Sequence, residues 1–135
     1  MRLGCRDKRR QLTRIYHILL VDDRKKWQKE ISDLLRLQGH TVDVASDTNQ
    51  GKIFLETKQY DGAIFDGLEG GWKELYELAK SMGIPAYVLS ADPLEGQVEK
   101  GRFRAKGTFS RKVGLSLFPI AKGNDPADQP SNQAQ

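Results

Sequence analysis

The 135-residue chain is expected to fold as an α/β domain: a three-layer, doubly wound parallel sheet of five strands with helices on both faces. Three observations predict this. Short apolar runs alternate with stretches of helical periodicity, the pattern of strand–helix units. The runs are nearly continuous rather than alternating, as suits parallel strands covered on both sides. Each run also stops at a polar residue, and ligands of such sheets gather at the carboxyl ends of the strands.

Tyr16-His17-Ile18-Leu19-Leu20-Val21 is the first run and ends at Asp22-Asp23. Trp27, Ile31, Leu34 and Leu35 then recur on one helical face, and Gly39 follows as a C-cap. Thr41 to Ala45 reads as the second strand. Ile53, Phe54 and Leu55 lie in a short helix running to about Lys58. Gly62 to Phe65 is the third strand and ends at Asp66. Trp72, Leu75, Leu78, Ala79 and Met82 mark a third helix. Pro85 to Leu89 is the fourth strand, ending at Ser90. The segment 93–106 makes a poor helix, because Gly96 and Gly101 interrupt it. Thr108 to Arg111 is the expected fifth strand, running into Lys112, with a short helix over Leu115 to Ala121.

Both ends fall outside this pattern. Residues 1–14 carry six basic residues and one acid, so this arm is +5 against a net charge of +4 for the whole chain. It reads as a solvated extension, with nucleic-acid binding by counterion release as the sharper alternative. The tail 124–135 has no large apolar residue and is expected to stay disordered. The fold is therefore placed in 15–123. No apolar run approaches the roughly 18 residues of a membrane span, and the first fourteen residues, mostly polar and basic, form no signal-peptide core. The lone cysteine, Cys5, permits no internal disulfide, which fits a reducing, cytoplasmic setting.

Right-handed crossovers bring all five strand ends to one edge. Asp22, Asp23 and Asp66 would then share a crevice, where three carboxylates repel unless a cation joins them. Such hard oxygen ligands suit Mg²⁺. A lysine and the Ser90 hydroxyl beside them complete a site for a phosphoryl group, with Asp66 as nucleophile. Trp27 and Trp72 read as packing, and neither His17 nor His40 has a second metal-type ligand nearby.

The order ILLVDD, YDGAIFD, AYVLSA, FSRK resembles the receiver domain of bacterial response regulators, over about residues 16–121. The resemblance implies a flavodoxin-like fold of receiver type. It implies that Asp22 and Asp23 hold Mg²⁺ together with Asp66 and the backbone carbonyl of Leu68. Asp66 would be the phosphoacceptor, Ser90 the hydroxyl that contacts the phosphoryl group and moves on activation, Lys112 the strand-five lysine and Phe109 the switch aromatic. Arg111 is an alternative for the lysine place. A histidine kinase or phosphotransfer protein would be the donor. The output would pass to an effector through the face of helix four, strand five and helix five, here carrying Lys100, Arg102, Arg104, Lys106 and Arg111.

The sequence departs from that pattern in two places. The loop Gly67-Leu68-Glu69-Gly70-Gly71 is about three residues short and lacks a Met-Pro pair. Lys112 is followed by Val113 where the family has a proline. A degenerate receiver, binding partners without phosphorylation, is thus the alternative expectation. An aspartyl phosphatase is disfavoured, since the position two residues after Asp66 is Leu68 and not an acid.

Overall fold

The computed structural model describes residues 15–92, 94–109 and 111–118, apart from the side chains of Glu95, Thr108, Arg111, Lys112 and Leu115. The basic arm with Cys5, the end of the expected last helix at 119–121, and the tail lie outside the described residues. Five strands, β1 (His17–Val21), β2 (Thr41–Ala45), β3 (Gly62–Asp66), β4 (Ala86–Ser90) and β5 (Phe103–Ala105), form one sheet in the order β2-β1-β3-β4-β5. All four pairings are parallel, as the apolar runs require. The helices are α1 (Lys25–Leu37), α2 (Thr48–Thr57), α3 (Trp72–Ser81) and α4 (Arg111–Leu117).

Two apolar clusters sandwich the sheet. On one face Leu19, Val21, Phe65 and Val88 pack with Leu55 of α2 and with Trp72, Leu75 and Ala79 of α3. On the other, Ile18, Leu20, Ile64 and Leu89 meet Ile31 and Leu35 of α1 and Leu117 and Phe118 at the end of α4. This is the doubly wound arrangement that the apolar runs predict. Gly62 of β3 is needed for that second layer, because a Cβ there would run into the Phe118 ring.

Most elements lie within a residue of their expected places. Gly39 terminates α1 with φ of +96°, the left-handed conformation a C-cap glycine supplies. Helix α2 starts earlier than its apolar residues suggest. Its true start signal is Asp47, whose carboxylate accepts a hydrogen bond from the Gln50 amide at 2.8 Å, an N-cap.

The larger correction is at strand five. The strand is Phe103–Ala105; of the expected strand at 108–111, Thr108 instead ends a 3-10 turn begun at Lys106, and Arg111 starts α4. Val88 pairs with Phe103 and Ser90 with Ala105, and the Val88 amide donates to the Arg102 carbonyl at 2.8 Å. Phe103, like Leu94 and Val98, packs against the α3 side of the core. Among the described residues, the β4–β5 connection holds one 3-10 turn, Glu95–Gln97, and no α-helix. It is tied to α3 through Glu99, whose carboxylate meets Lys80 at 2.7 Å and whose amide donates to the Tyr76 hydroxyl at 3.3 Å.

His40 is a buried histidine at the opposite edge of the sheet, 3% exposed. Its Nδ1 accepts from the Tyr16 amide at 3.1 Å, and its ring stands edge-on to Tyr16. Burial pushes its pKa below the ordinary 6.5, with the Phe118 backbone offsetting part of the drop. The unfolded chain therefore takes up the proton first as pH falls. Stability should be full above about pH 6.5 and decline below it. Urea melts from pH 7.5 to 5 should show this decline, and His40→Gln should flatten it.

Candidate functional site

The site stands at the carboxyl edge of β1, β3, β4 and β5. Asp22 follows β1 directly and is 1% exposed. Its Oδ1 accepts from the Arg24 amide at 2.9 Å, and its Oδ2 lies 2.9 Å from the Lys106 Nζ. Burial pushes the Asp22 carboxyl up, and the nearby Asp66 charge adds to the rise. The Arg24 amide and Lys106 act against it. Asp66 ends β3, and its Oδ1 accepts from Lys106 at 2.6 Å. Asp23 is exposed beside them. Oxygens of Asp22, Asp23 and Asp66 all lie within 4.8 Å of one another.

Among the described side chains, Lys106 is the lysine that reaches this site. It directly follows β5, and its side chain is 8% exposed. One ammonium bridging two carboxylates is what permits them to approach in a low-dielectric crevice. Lys112 lies in the first turn of α4, outside any strand. Its side chain and that of Arg111 lie outside the described residues. Phe109, expected as the switch aromatic, is in the turn before α4 and packs on the α1 side of the core. The aromatic three residues before Lys106 is Phe103. Lys106 likewise leaves the expected partner face, since it is buried in the site. Two more cations of that stripe are engaged locally. The Arg102 guanidinium sits 4.8 Å from the Tyr87 ring centroid, and Arg104 donates to the carbonyls of Gly101 and Phe103.

Ser90 ends β4, is buried, and accepts from the Asp92 amide at 3.0 Å. Its hydroxyl hydrogen remains available to a ligand. Gly67 allows the β3 loop to pass close by: a Cβ there would stand 3.1 Å from the Ser90 Oγ. Beyond Gly67 the short loop is tightly wound. Leu68 and Glu69 have φ of 51° and 54°, values costly for side-chain-bearing residues. The Leu68 carbonyl accepts from the Gly71 amide at 3.0 Å, which leaves it one lone pair.

These groups line an open pocket of about 400 Å³ whose walls include Asp23, Trp27, Asp66, Leu68, Ser90 and Lys106. Lys106 and Trp27 are site residues that the sequence pattern does not mark as such. The donor set fits a hard divalent cation: carboxylate oxygens in a partly desolvated crevice, with no thiolate or imidazole.

The fold is that of receiver domains. A Francisella response regulator receiver domain is similar over 76% of this chain and 93% of its own, at 23% identity and a TM-score of 0.61. The receiver domain of a sensor histidine kinase from Pseudomonas aeruginosa, with magnesium in its active-site cleft, is 24% identical over 76% of this chain and 96% of its own, TM-score 0.61. The Thermotoga maritima response regulator TrrA, in complex with Mg²⁺ and BeF, is 18% identical over 75% and 95%, TM-score 0.64. No protein-family model matches the sequence, and no curated protein matches it. Among the described residues, no helix is long and apolar enough to cross a membrane.

Proposed function

We propose that this chain is a response regulator receiver that accepts a phosphoryl group on Asp66 from a histidine kinase or phosphotransfer protein. The observation that carries this is Lys106, held between Asp22 and Asp66 at the mouth of a pocket that also contains Ser90. A carboxylate, an ammonium and a hydroxyl converging on one open space suit the transfer of an anionic group. An Asp66 oxygen attacks phosphorus, and the bond from phosphorus to the donor's nitrogen or oxygen breaks. The leaving group departs with the electron pair. Lys106 and the Ser90 hydroxyl are placed to bind the phosphoryl oxygens.

Asp22, Asp23 and Asp66 would hold magnesium, with the free lone pair of the Leu68 carbonyl as a further ligand. The ion would offset negative charge on the transferred group. The chain would then be a signalling switch rather than an enzyme with turnover on a separate substrate. Phosphorylation would bias a pre-existing equilibrium through Ser90 and Phe103. An effector would read the change on the surface made by the β4–β5 connection, β5 and α4.

A second reading, a degenerate receiver, draws on the short loop, where the Leu68 carbonyl already accepts from Gly71. Magnesium titration by calorimetry separates the two. The phosphoacceptor reading expects saturable binding that is lost in Asp23→Asn. No binding to the unmodified chain would favour the degenerate module.

A further inference from the structure

Trp27 projects from the first turn of α1 into the site. Its ring packs against the apolar cluster under α1, including Leu20 and Ile31, and also lines the pocket. The Lys106 ammonium lies 5.2 Å from the centroid of that ring. Lys106 thus has three partners: Asp66, Asp22 and the indole. An ammonium over an indole face is attracted by the ring quadrupole, and more strongly where water is excluded. Lys26 also approaches the Trp27 ring, at 5.6 Å, but Lys26 is exposed and its charge is solvated.

We propose that Trp27 is a positioning residue for Lys106, holding the ammonium at the strand-end crevice while its anionic partners change. This rests on the phosphoacceptor reading of the site. When an Asp66 oxygen becomes bonded to phosphorus, the carboxylate gives up its charge and new charge appears on the phosphoryl oxygens. Of the three Lys106 partners, Asp66 is altered by that step, and Asp22 would also be one of the residues that hold the metal. The indole alone is chemically unchanged throughout. Its place is fixed by packing against the apolar cluster under α1, so it can hold the ammonium in register without competing for its hydrogen bonds.

The test compares the rate of Mg²⁺-dependent phosphoryl uptake from acetyl phosphate in the unmodified chain, Trp27→Phe, Trp27→Leu and Lys26→Met. Intact mass follows uptake, and thermal melting confirms that each variant is folded. Leucine fills much of the space but has no π face, whereas phenylalanine keeps a weaker one. The expected order is tryptophan, then phenylalanine, then leucine. The leucine variant should be slower by on the order of three- to tenfold, the fold-change of a partly desolvated cation–π contact. Lys26→Met should leave the rate unchanged. Equal rates in the folded leucine and unmodified proteins would overturn the role of Trp27 while leaving the phosphoacceptor reading intact. A phenylalanine variant as slow as the leucine one would also overturn it, because volume rather than the π face would then matter. If the unmodified chain takes up no phosphoryl group while properly folded, the functional reading fails and this inference with it.

Discussion

Lys106→Met is expected to slow phosphoryl uptake on Asp66 by on the order of a hundredfold or more, the usual effect of deleting one preorganised electrostatic group. Lys112→Met, made in parallel, should label at the unmodified rate. The contrast follows from placement. Lys106 Nζ stands 2.6 Å from Asp66 and 2.9 Å from Asp22, whereas Lys112 lies in the first turn of a helix. A second consequence separates charge from packing. Methionine keeps most of the stem but leaves two carboxylates facing each other, one of them buried, with no cation between. Removing one partner of a buried pair commonly costs about 3–5 kcal/mol. The variant should therefore melt lower than the unmodified protein in the absence of divalent cations, and added Mg²⁺ should recover more stability in it. Thermal melts with and without Mg²⁺, beside the labelling rates, check both parts. Equal labelling by the two methionine variants would move the site lysine away from Lys106.

Phe65→Ala is expected to destabilise the domain by about 3–5 kcal/mol, the range for truncating a fully buried aromatic. That is a large share of a total stability of about 5–15 kcal/mol. Phe65 is fully buried on the central strand β3 and belongs to the cluster under α2 and α3. The residue after it is Asp66, so loosening this strand also loosens the phosphoacceptor. Urea unfolding should show a lower midpoint with a similar slope. Exposed Leu37, at 86% accessibility, gives the contrast: Leu37→Ala should lie within about 0.5 kcal/mol of the unmodified protein.

Much of the architecture was legible because parallel strands announce themselves as apolar runs. Ile18 to Val21 and Ala63 to Phe65 are buried on both faces, which leaves no position for a polar residue until the strand ends. That same constraint marks Asp22, Asp66 and Ser90 as the first residues free to be polar. Strand five was not legible for a specific reason. The sequence contains Phe103-Arg104-Ala105-Lys106 and, six residues on, Phe109-Ser110-Arg111-Lys112. Both offer an aromatic three residues before a lysine, so local pattern cannot choose between them. The choice is made by pairing with β4, where Val88 and Ser90 select Phe103 and Ala105. It is made again by charge, since Lys106 finds both carboxylates. Edge strands of three residues carry little periodicity to read.

Trp27 was legible as a packing residue but not as a site residue. Its spacing with Ile31 and Leu35 places it on the core face of α1, and that is where it sits. Its approach to Lys106 depends on where β5 ends, which the sequence pattern had put six residues too late. The tight loop after Asp66 shows the reverse case. Its shortness is plain in the sequence, but the left-handed conformations of Leu68 and Glu69 are not, because neither residue type favours them.

The most direct test of Asp66 as phosphoacceptor is to incubate the chain with acetyl phosphate, with Mg²⁺ or with chelator, and to read intact mass alongside Asp66→Asn. The expected result is the gain of one phosphoryl group that requires Mg²⁺ and is absent from the asparagine variant. No gain in the folded, Mg²⁺-supplied protein, or an equal gain in Asp66→Asn, would contradict it.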